Sequence, residues 1–351
     1  MNDTARPLAV RRISSTVLEA VSDAMERAEW RRHVPAGSRV ALKPNLCWDL
    51  PLPGVQTSPW VLAAVLEVML PHVADIVVVE AGQITVDADR ALVRCGLGRV
   101  LEHYGVPFVN MSRGAFVTAR LDDGFVLHEV ELPAVLGDRV LVTLPVLKTH
   151  ATTAISGALK NQWGCLRELR HNHHLVVDEA IADVNRLVRP SFAVMDATVG
   201  LEGNGPKTGR PRIADLVLAS ADPVALDSIA ARIMGFDPRH IPHLVAAERA
   251  GLGRIDIEGS ALLGDDVTGQ DLGFRPARPG LIQRTEFALR RSRLRRLAFE
   301  TRILDVLALA ARAYNLCWYV AVGIRERRRV LARSRHGQWT PAGNAETGAR
   351  R

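Results

Sequence analysis

The sequence has few cysteines, and they lie far apart. Cys47, Cys95, Cys165 and Cys317 are the only four in 351 residues. Zinc and iron–sulfur sites usually bring cysteines within a few residues of each other, and small secreted domains contain them at a higher density. We therefore expect no iron–sulfur cluster and no disulfide framework. The cytoplasm, a reducing compartment, is the location that this composition indicates.

Other familiar signals are missing too. The N-terminal segment MNDTARPLAVRRISS lacks the apolar run of a signal peptide. No G-x-G-x-x-G motif follows the first strand-like run, and the glycine-rich segment at 200–209 lacks the Gly-Lys-Ser/Thr ending of a P-loop. We therefore expect neither NAD nor flavin as a cofactor.

The positive net charge of +7 is confined to one segment. Residues 281–351 contain 16 arginines and five acidic residues, a net charge of +11, so the first 280 residues sum to −4. A body of this charge is not expected to bind nucleic acid. We predict a body at 1–265, a linker at 266–280, an arginine-rich helical extension at 281–335 and a disordered tail at 336–351.

The extension also contains a long apolar stretch, ILDVLALAARAYNLCWYVAVGI. Asp305 and Arg312 lie within it, and charged residues are costly at bilayer depth, which argues against a membrane-spanning helix. The alternatives are that the extension packs on its own body, or that it contacts an anionic membrane surface or a protein partner.

In the body, apolar β-branched runs alternate with helical patterns, which predicts an α/β fold with a mostly parallel, doubly wound sheet in one body or two lobes. Helices are predicted after Ser58-Pro59 and after Asp222-Pro223, the second ending at Gly235. The strand-like runs lie at 38–42, 76–79, 139–144, 191–195 and 216–219.

Ligands of such sheets bind beyond the carboxyl ends of the strands, and the lysines of this chain are concentrated there. Of 45 lysines and arginines only four are lysines: Lys43, Lys148, Lys160 and Lys207. Three of them follow predicted strands. Lysine is a compact cation whose pKa can fall on burial, which suits a base or a nucleophile. The alternative is that each stem packs against a loop while the ammonium group reaches solvent.

The predicted catalytic residues are Lys148, His150, Lys43 and Asp196. In Lys148-Thr149-His150, a cation, a hydroxyl and an imidazole can hold an anion and move a proton. The alternative for this triplet is a capped helix start, which would also attract an anion. We expect Lys43, Lys148, Asp196 and Asp222 to converge at one edge of the sheet.

Further residues are predicted to bind substrate or a metal ion. Glu202, Asp222 and Asp227 are the candidate ligands for magnesium, although Asp222 is also well placed to cap a helix, and Asp196 to cap the glycine loop. The predicted substrate-binding residues are Asn45, Thr149, Lys160, Asn161, Gly203, Gly205 and Lys207.

Five segments together resemble the family called domain of unknown function 362. They are VALKPNL (40–46), LVTLPVLKTHATTAISGALKNQWGC (141–165), MDATVGLEGNGPKTG (195–209), LASADPVALDSIAARIMG (218–235) and AAERAGLG (246–253). The resemblance implies an α/β fold and a remote likeness to nickel-pincer lactate racemases, without a settled reaction. Many members of the family carry a ferredoxin-like cysteine-rich segment, which this chain lacks.

These observations predict an enzyme that acts on a small anionic molecule, with a carboxylate, by acid/base chemistry of the isomerase, epimerase or lyase type. One alternative is magnesium-dependent group transfer or ligation. Another is a non-catalytic ligand-binding module whose basic extension docks a partner.

The cysteine spacing gives a first testable prediction. Protein purified without oxygen should contain no stoichiometric iron or acid-labile sulfide, because successive cysteines are 48, 70 and 152 positions apart. Colorimetric iron and sulfide assays measure both. A stoichiometric cluster would show that cysteines distant in sequence meet in space.

Overall fold

A computed structural model describes residues 6–167, 170–257, 262–267, 269–278, 280–293, 295–299, 301 and 303–334. The predicted disordered tail at 336–351 lies outside these residues, as do two positions of the predicted linker. The predicted domain boundaries stay predictions.

The body is built on a mixed, mostly parallel sheet, as the sequence predicts. The sheet order is β12-β1-β11-β10-β7-β2-β3-β4, with β8 pairing with β10 and with β9, while β5 and β6 form a separate hairpin. The doubly wound order itself stays a prediction. The strands are β1 (Leu8–Arg12), β2 (Arg39–Pro44), β3 (Asp75–Glu80), β4 (Phe108–Asn110), β5 (Phe116–Arg120), β6 (Glu129–Pro133), β7 (Val140–Leu144), β8 (Val146–His150), β9 (Ala154–Ile155), β10 (Phe192–Glu202), β11 (Arg210–Ser220) and β12 (Leu262–Gly264).

Thirteen α-helices lie in the described part of the chain. They are α1 (Val17–Arg27), α2 (Trp30–His33), α3 (Pro59–Met69), α4 (Ala88–Arg94), α5 (Leu97–Tyr104), α6 (Gly157–Asn161), α7 (Val177–Val188), α8 (Pro223–Met234), α9 (Pro242–Arg249), α10 (Leu281–Arg291), α11 (Arg295–Phe299), α12 (Ile303–Trp318) and α13 (Ile324–Arg333). A π-helical turn, Tyr319–Gly323, joins the last two.

The sheet is buried on both faces, which is why its strands are continuous apolar runs rather than alternating ones. Neighbouring residues of one strand belong to different hydrophobic clusters. In β11, Val217 packs in the cluster that contains α1 and α3, while Leu216 and Leu218 pack in the cluster that contains α7, α8 and α9.

Both predicted helix starts are confirmed. Helix α3 has Pro59 in its first turn, and α8 has Pro223 there, after Asp222. The Asp222 carboxylate accepts the backbone N–H of Ala225 at 2.8 Å. Gly235 ends α8 with a φ of 92°, a backbone conformation that glycine adopts without strain.

The sequence-based end of β10 is wrong. The apolar run suggests a strand that stops at Met195, but β10 continues to Glu202 and turns back as the antiparallel strand β11. Asp196 therefore lies within a strand and not in a loop beyond one. Because β11 runs antiparallel to β10, its carboxyl end, where Asp222 begins α8, lies at the edge of the sheet where β10 starts.

A buried histidine lies between α7 and α9. His243 is fully buried, and within the described residues neither of its ring nitrogens has a hydrogen-bond partner. Its Nδ1 lies 4.0 Å from the Asp178 carboxylate. Burial lowers the pKa of His243 to about 3, from an ordinary value of 6.5, and Lys160 adds to this effect.

His243 should make the fold sensitive to acid. Between pH 6.5 and pH 3 the unfolded state binds a proton that the folded state rejects, so stability is complete above this window and falls as the pH falls through it. At pH 5 the loss should reach about 2 kcal/mol. Urea unfolding at pH 7.5 and pH 5 should show a smaller loss for His243→Leu than for the wild type. His240→Leu, whose side chain is 85% exposed, is the matched control and should keep the full acid sensitivity.

Candidate functional site

A cavity of about 900 Å³ opens where β2, β3 and β8 end, and all four lysines of the chain line it. Four more of the predicted site residues also line it: Asn45, His150, Asn161 and Gly205. The strand ends bring together residues that are up to 164 positions apart in sequence, from Lys43 to Lys207.

Lys43 forms a buried ion pair at the bottom of this cavity. Its ammonium group donates to the carboxylate of Glu80, which ends the neighbouring strand β3. The two residues are 1% and 3% exposed. Gly164 leaves room for the pair, since a Cβ there would lie 3.0 Å from the Lys43 Nζ and 3.1 Å from a Glu80 oxygen. Glu80 is not among the site residues predicted from the sequence.

Lys148, the second buried ammonium group, is held by three acceptors. It donates to the side-chain oxygen of Asn45 and to the backbone carbonyl of Val55, both at 2.7 Å, and its Nζ lies 3.3 Å from the Cys47 sulfur. Three acceptors match the three N–H donors of an ammonium ion. Lys148 therefore acts as a fixed positive charge beside the cavity.

Two asparagines fix the geometry around these lysines. Asn45 accepts from Lys148 with its oxygen and donates from Nδ2 to the Asn161 oxygen at 3.1 Å. Asn161 in turn donates to the Thr143 hydroxyl at 2.7 Å and to the Lys43 carbonyl at 3.2 Å. This network ties β2, β7 and α6 together, so both predicted binding residues also have a structural role.

The other two lysines are only partly buried. Lys207 lies in the β10–β11 turn and donates to the Thr85 hydroxyl at 2.9 Å. Burial lowers the pKa of Lys207, which brings it closer to the range in which a lysine can accept a proton. The Lys160 ammonium lies 5.7 Å from the ring centre of Trp163, within cation–π distance.

His150 is a neutral imidazole in this setting. Burial holds the pKa of His150 well below its ordinary value, and Lys160 and Lys148 lower it further. Its Nδ1 accepts the backbone N–H of Thr152 at 3.0 Å. The proton of the neutral ring therefore lies on Nε2, which makes that atom a hydrogen-bond donor.

The cavity carries a strong excess of positive charge. In addition to the four lysines, four arginines line it, against three carboxylates. An anion is therefore the ligand that the cavity favours. The arginines are Arg113, Arg167, Arg278 and Arg312, and the carboxylates belong to Glu80, Asp87 and Glu286.

The C-terminal extension forms one wall of the cavity, which agrees with the alternative that it packs on its own body. Arg312 of α12 donates to the carbonyl of Ile84 at 2.8 Å. Glu286 of α10 lies 3.0 Å from the His174 Nδ1. Asn315 lines the cavity one helical turn after Arg312.

Asp196, Thr149 and Gly203 do not line the cavity and instead make hydrogen bonds that hold the backbone. Asp196 accepts the backbone N–H of Ser58 and the hydroxyl of Thr198, at 2.8 and 2.7 Å, and so links β10 to the start of α3. The Thr149 hydroxyl donates to the Gly203 carbonyl at 2.9 Å. The catalytic role predicted for Asp196 therefore has no support in its position.

The three carboxylates predicted as magnesium ligands lie outside the cavity, and each is bound to protein donors. Glu202 is paired with Arg212 at 3.1 Å. Asp222 caps α8. Asp227 accepts the backbone N–H groups of Ala158 and Leu159, and burial raises the pKa of Asp227 to about 7.

These contacts hold the three carboxylates apart from one another and from the cavity, and the predicted magnesium site stays a prediction. The described residues contain no group of three or more histidine, cysteine or acidic side chains placed to hold a metal ion. The predicted convergence is wrong for Asp222, because the antiparallel course of β11 takes it away from the lysines.

Comparison with known proteins finds a family match over most of the segments that line the cavity. The family model described as "Domain of unknown function (DUF362)" matches residues 40–232, more than half of the chain. The chain belongs to this family. A thylakoid-associated protein of Synechocystis sp. is 32% identical over 240 residues, which cover 62% of this chain and 70% of the relative. The DUF362 match contains all four lysines and ends before the extension.

The buried pair gives a testable prediction for this DUF362 protein. Lys43→Met should destabilise the fold by about 3–5 kcal/mol, because it leaves the Glu80 carboxylate buried without its partner. The double variant Lys43→Met/Glu80→Leu should recover most of this loss, since it removes both charges. Urea unfolding measures the free energies.

A control for this cycle is the exposed pair Arg120–Glu129, whose side chains are 73% and 57% exposed. Arg120→Met should cost less than about 1 kcal/mol. Equal losses for Lys43→Met and Arg120→Met would contradict the assignment of Lys43 to a buried pair.

Proposed function

We propose that this protein is an enzyme that moves a proton at a carbon atom beside the carboxylate of a small anionic molecule. One observation carries the proposal: the only four lysines of the chain line one cavity together with a neutral histidine. Arginine is far more frequent than lysine in this chain and also lines the cavity, so the grouping of all four lysines here favours a role for a compact, proton-exchanging cation.

Each group suits a different role in such a reaction. The ammonium group of Lys148 and the four lining arginines favour an anionic ligand, whereas the charge of Lys43 is balanced by Glu80. Lys207, with its lowered pKa, is the candidate base. His150 can donate from Nε2 to the oxygen on which negative charge develops as the proton leaves.

The reaction type is supported by analogy as well. The implied likeness to lactate racemases favours proton or hydride movement beside a carboxylate, and it is an argument from the family rather than from the site.

We also propose the cytoplasm as the compartment. The relative from Synechocystis is associated with thylakoids, which makes the cytoplasmic face of a membrane a second candidate location.

The rival proposals receive less support. Magnesium-dependent group transfer would need metal ligands beside the lysines, and the predicted ligands Glu202, Asp222 and Asp227 are bound elsewhere. A non-catalytic ligand-binding module would need only the positive cavity. The position of His150 and Lys207 in its lining, where both could exchange a proton with a bound anion, favours the enzyme.

The test is exchange with solvent deuterium. Small carboxylates with a hydroxyl, keto or amino group on the neighbouring carbon are incubated with the protein in D₂O, and proton NMR follows the signal of that carbon. At least one should lose its C–H signal. His150→Gln should slow the exchange by about a hundredfold to ten-thousandfold, the usual contribution of a positioned proton-transfer group.

The variant Lys207→Arg tests whether Lys207 is needed for ligand binding or for proton transfer. Arginine keeps the positive charge but cannot give up its proton at ordinary pH. The variant should retain ligand affinity by calorimetry and lose exchange. His240→Gln, on an exposed side chain, should exchange like the wild type. Anion binding by the wild type without exchange in any compound would support the ligand-binding module instead.

A further inference from the structure

The C-terminal helix is unusually apolar for its exposure. Helix α12, the π-helical turn and α13 form one continuous helix, Ile303–Arg333, which is long and apolar enough to cross a membrane by length and composition. Only 11% of its most apolar window is buried against the protein. The helix therefore has a side that its own body does not cover.

The inner side of this helix is anchored at several points. Arg312 donates to the Ile84 carbonyl at 2.8 Å, and the Tyr319 hydroxyl donates to the Pro51 carbonyl at 3.1 Å. The rings of Trp318 and Tyr319 lie 6.4 and 5.6 Å from the ring of Trp48. These contacts fix the rotation of the helix, and therefore which residues face away from the body.

The outer face, as we call it, consists of large apolar side chains at helical spacing. Val306, Leu309, Leu316 and Val320 are 66%, 66%, 52% and 61% exposed. Single exposed apolar residues are common on protein surfaces, but a continuous row of them marks a surface that binds a partner or a membrane.

Exposed arginines follow this row of apolar side chains along the helix. In α13, Arg325, Arg328, Arg329 and Arg333 are exposed, while the single acid of that helix, Glu326, is buried and pairs with Arg329 at 2.6 Å. An apolar face followed by exposed arginines is complementary to an anionic lipid surface, where the side chains enter the acyl region and the arginines contact phosphates.

We propose that the outer face docks this protein onto an anionic lipid membrane, with the helix lying in the plane of the surface. The inner contacts argue for lying rather than spanning, because a spanning helix would have to release Arg312 from Ile84 and place its charge in the bilayer. Arg312 and Asn315 also line the cavity. Docking would therefore place the cavity wall beside the lipid headgroups.

Cys317 allows a direct test on the full chain. It is the exposed one of the four cysteines and lies in α12 next to Leu316. Protein labelled there with an NBD fluorophore is mixed with phosphatidylcholine vesicles with or without phosphatidylglycerol. The emission should rise and shift to the blue with the anionic vesicles, and raised salt should weaken this response.

Two sets of variants test the two parts of the surface. Leu309→Asp/Leu316→Asp should weaken vesicle binding by about tenfold or more, since each change removes a large apolar side chain from the lipid contact. Arg325→Gln and Arg328→Gln should each weaken binding to anionic vesicles by about fivefold. Co-sedimentation with vesicles measures both, and melting curves show that the variants fold.

The control is Val93→Asp/Val245→Asp, which places the same charges at exposed apolar positions of α4 and α9, 72% and 43% exposed. It should bind vesicles like the wild type. The proposal is overturned if the wild type does not bind anionic vesicles, or if the outer-face variant binds as well as the control. It is also overturned if the label responds to protein concentration without vesicles, which would identify a second copy as the occupant.

Discussion

The site depends on protein groups that replace the hydration of two ammonium groups almost completely removed from water. Lys43 and Lys148 are each 1% exposed, and a buried charge costs several kcal/mol unless protein groups replace its hydration. Glu80 replaces it for Lys43, and Asn45, Val55 and Cys47 replace it for Lys148. The segment from Asn45 to Val55 is therefore held in place by the lysine that it surrounds, and the cavity exists because these partners converge.

The lysine cluster can be predicted from the sequence, because the positions of these lysines are related to local apolar runs. For β2 and β7 the apolar run ends within two residues of the strand end, and Lys43 and Lys148 stand near these points. Eight of the predicted site residues line the cavity, Lys43, Asn45, Lys148, His150, Lys160, Asn161, Gly205 and Lys207. Most of them lie next to a parallel strand end or in the β10–β11 turn, while Lys160 and Asn161 lie at the end of α6.

The predictions that the sequence does not support correctly concern residues whose partners lie far away along the chain. Asp196 looks like a loop residue until β11 pairs with β10 beyond the apolar run, including Gly200. Asp227 looks like an unexplained acid in an apolar helix until the N–H groups of Ala158 and Leu159 are seen to approach it. Glu80 was passed over because its partner is 37 positions away. No local pattern carries such information, since each contact joins segments whose separation in space is set by the whole sheet.

The exposure of Cys317 has a consequence for handling the protein. The other cysteines are buried, and burial raises the pKa of the Cys95 thiol, which disfavours its reactive thiolate form. Oxidation in air should therefore begin at Cys317. A disulfide between two copies at this position would join their apolar helices and cover the surface that each presents. Preparations kept without a reducing agent would then contain covalent dimers in which that surface is hidden, and such dimers would be mistaken for a native assembly.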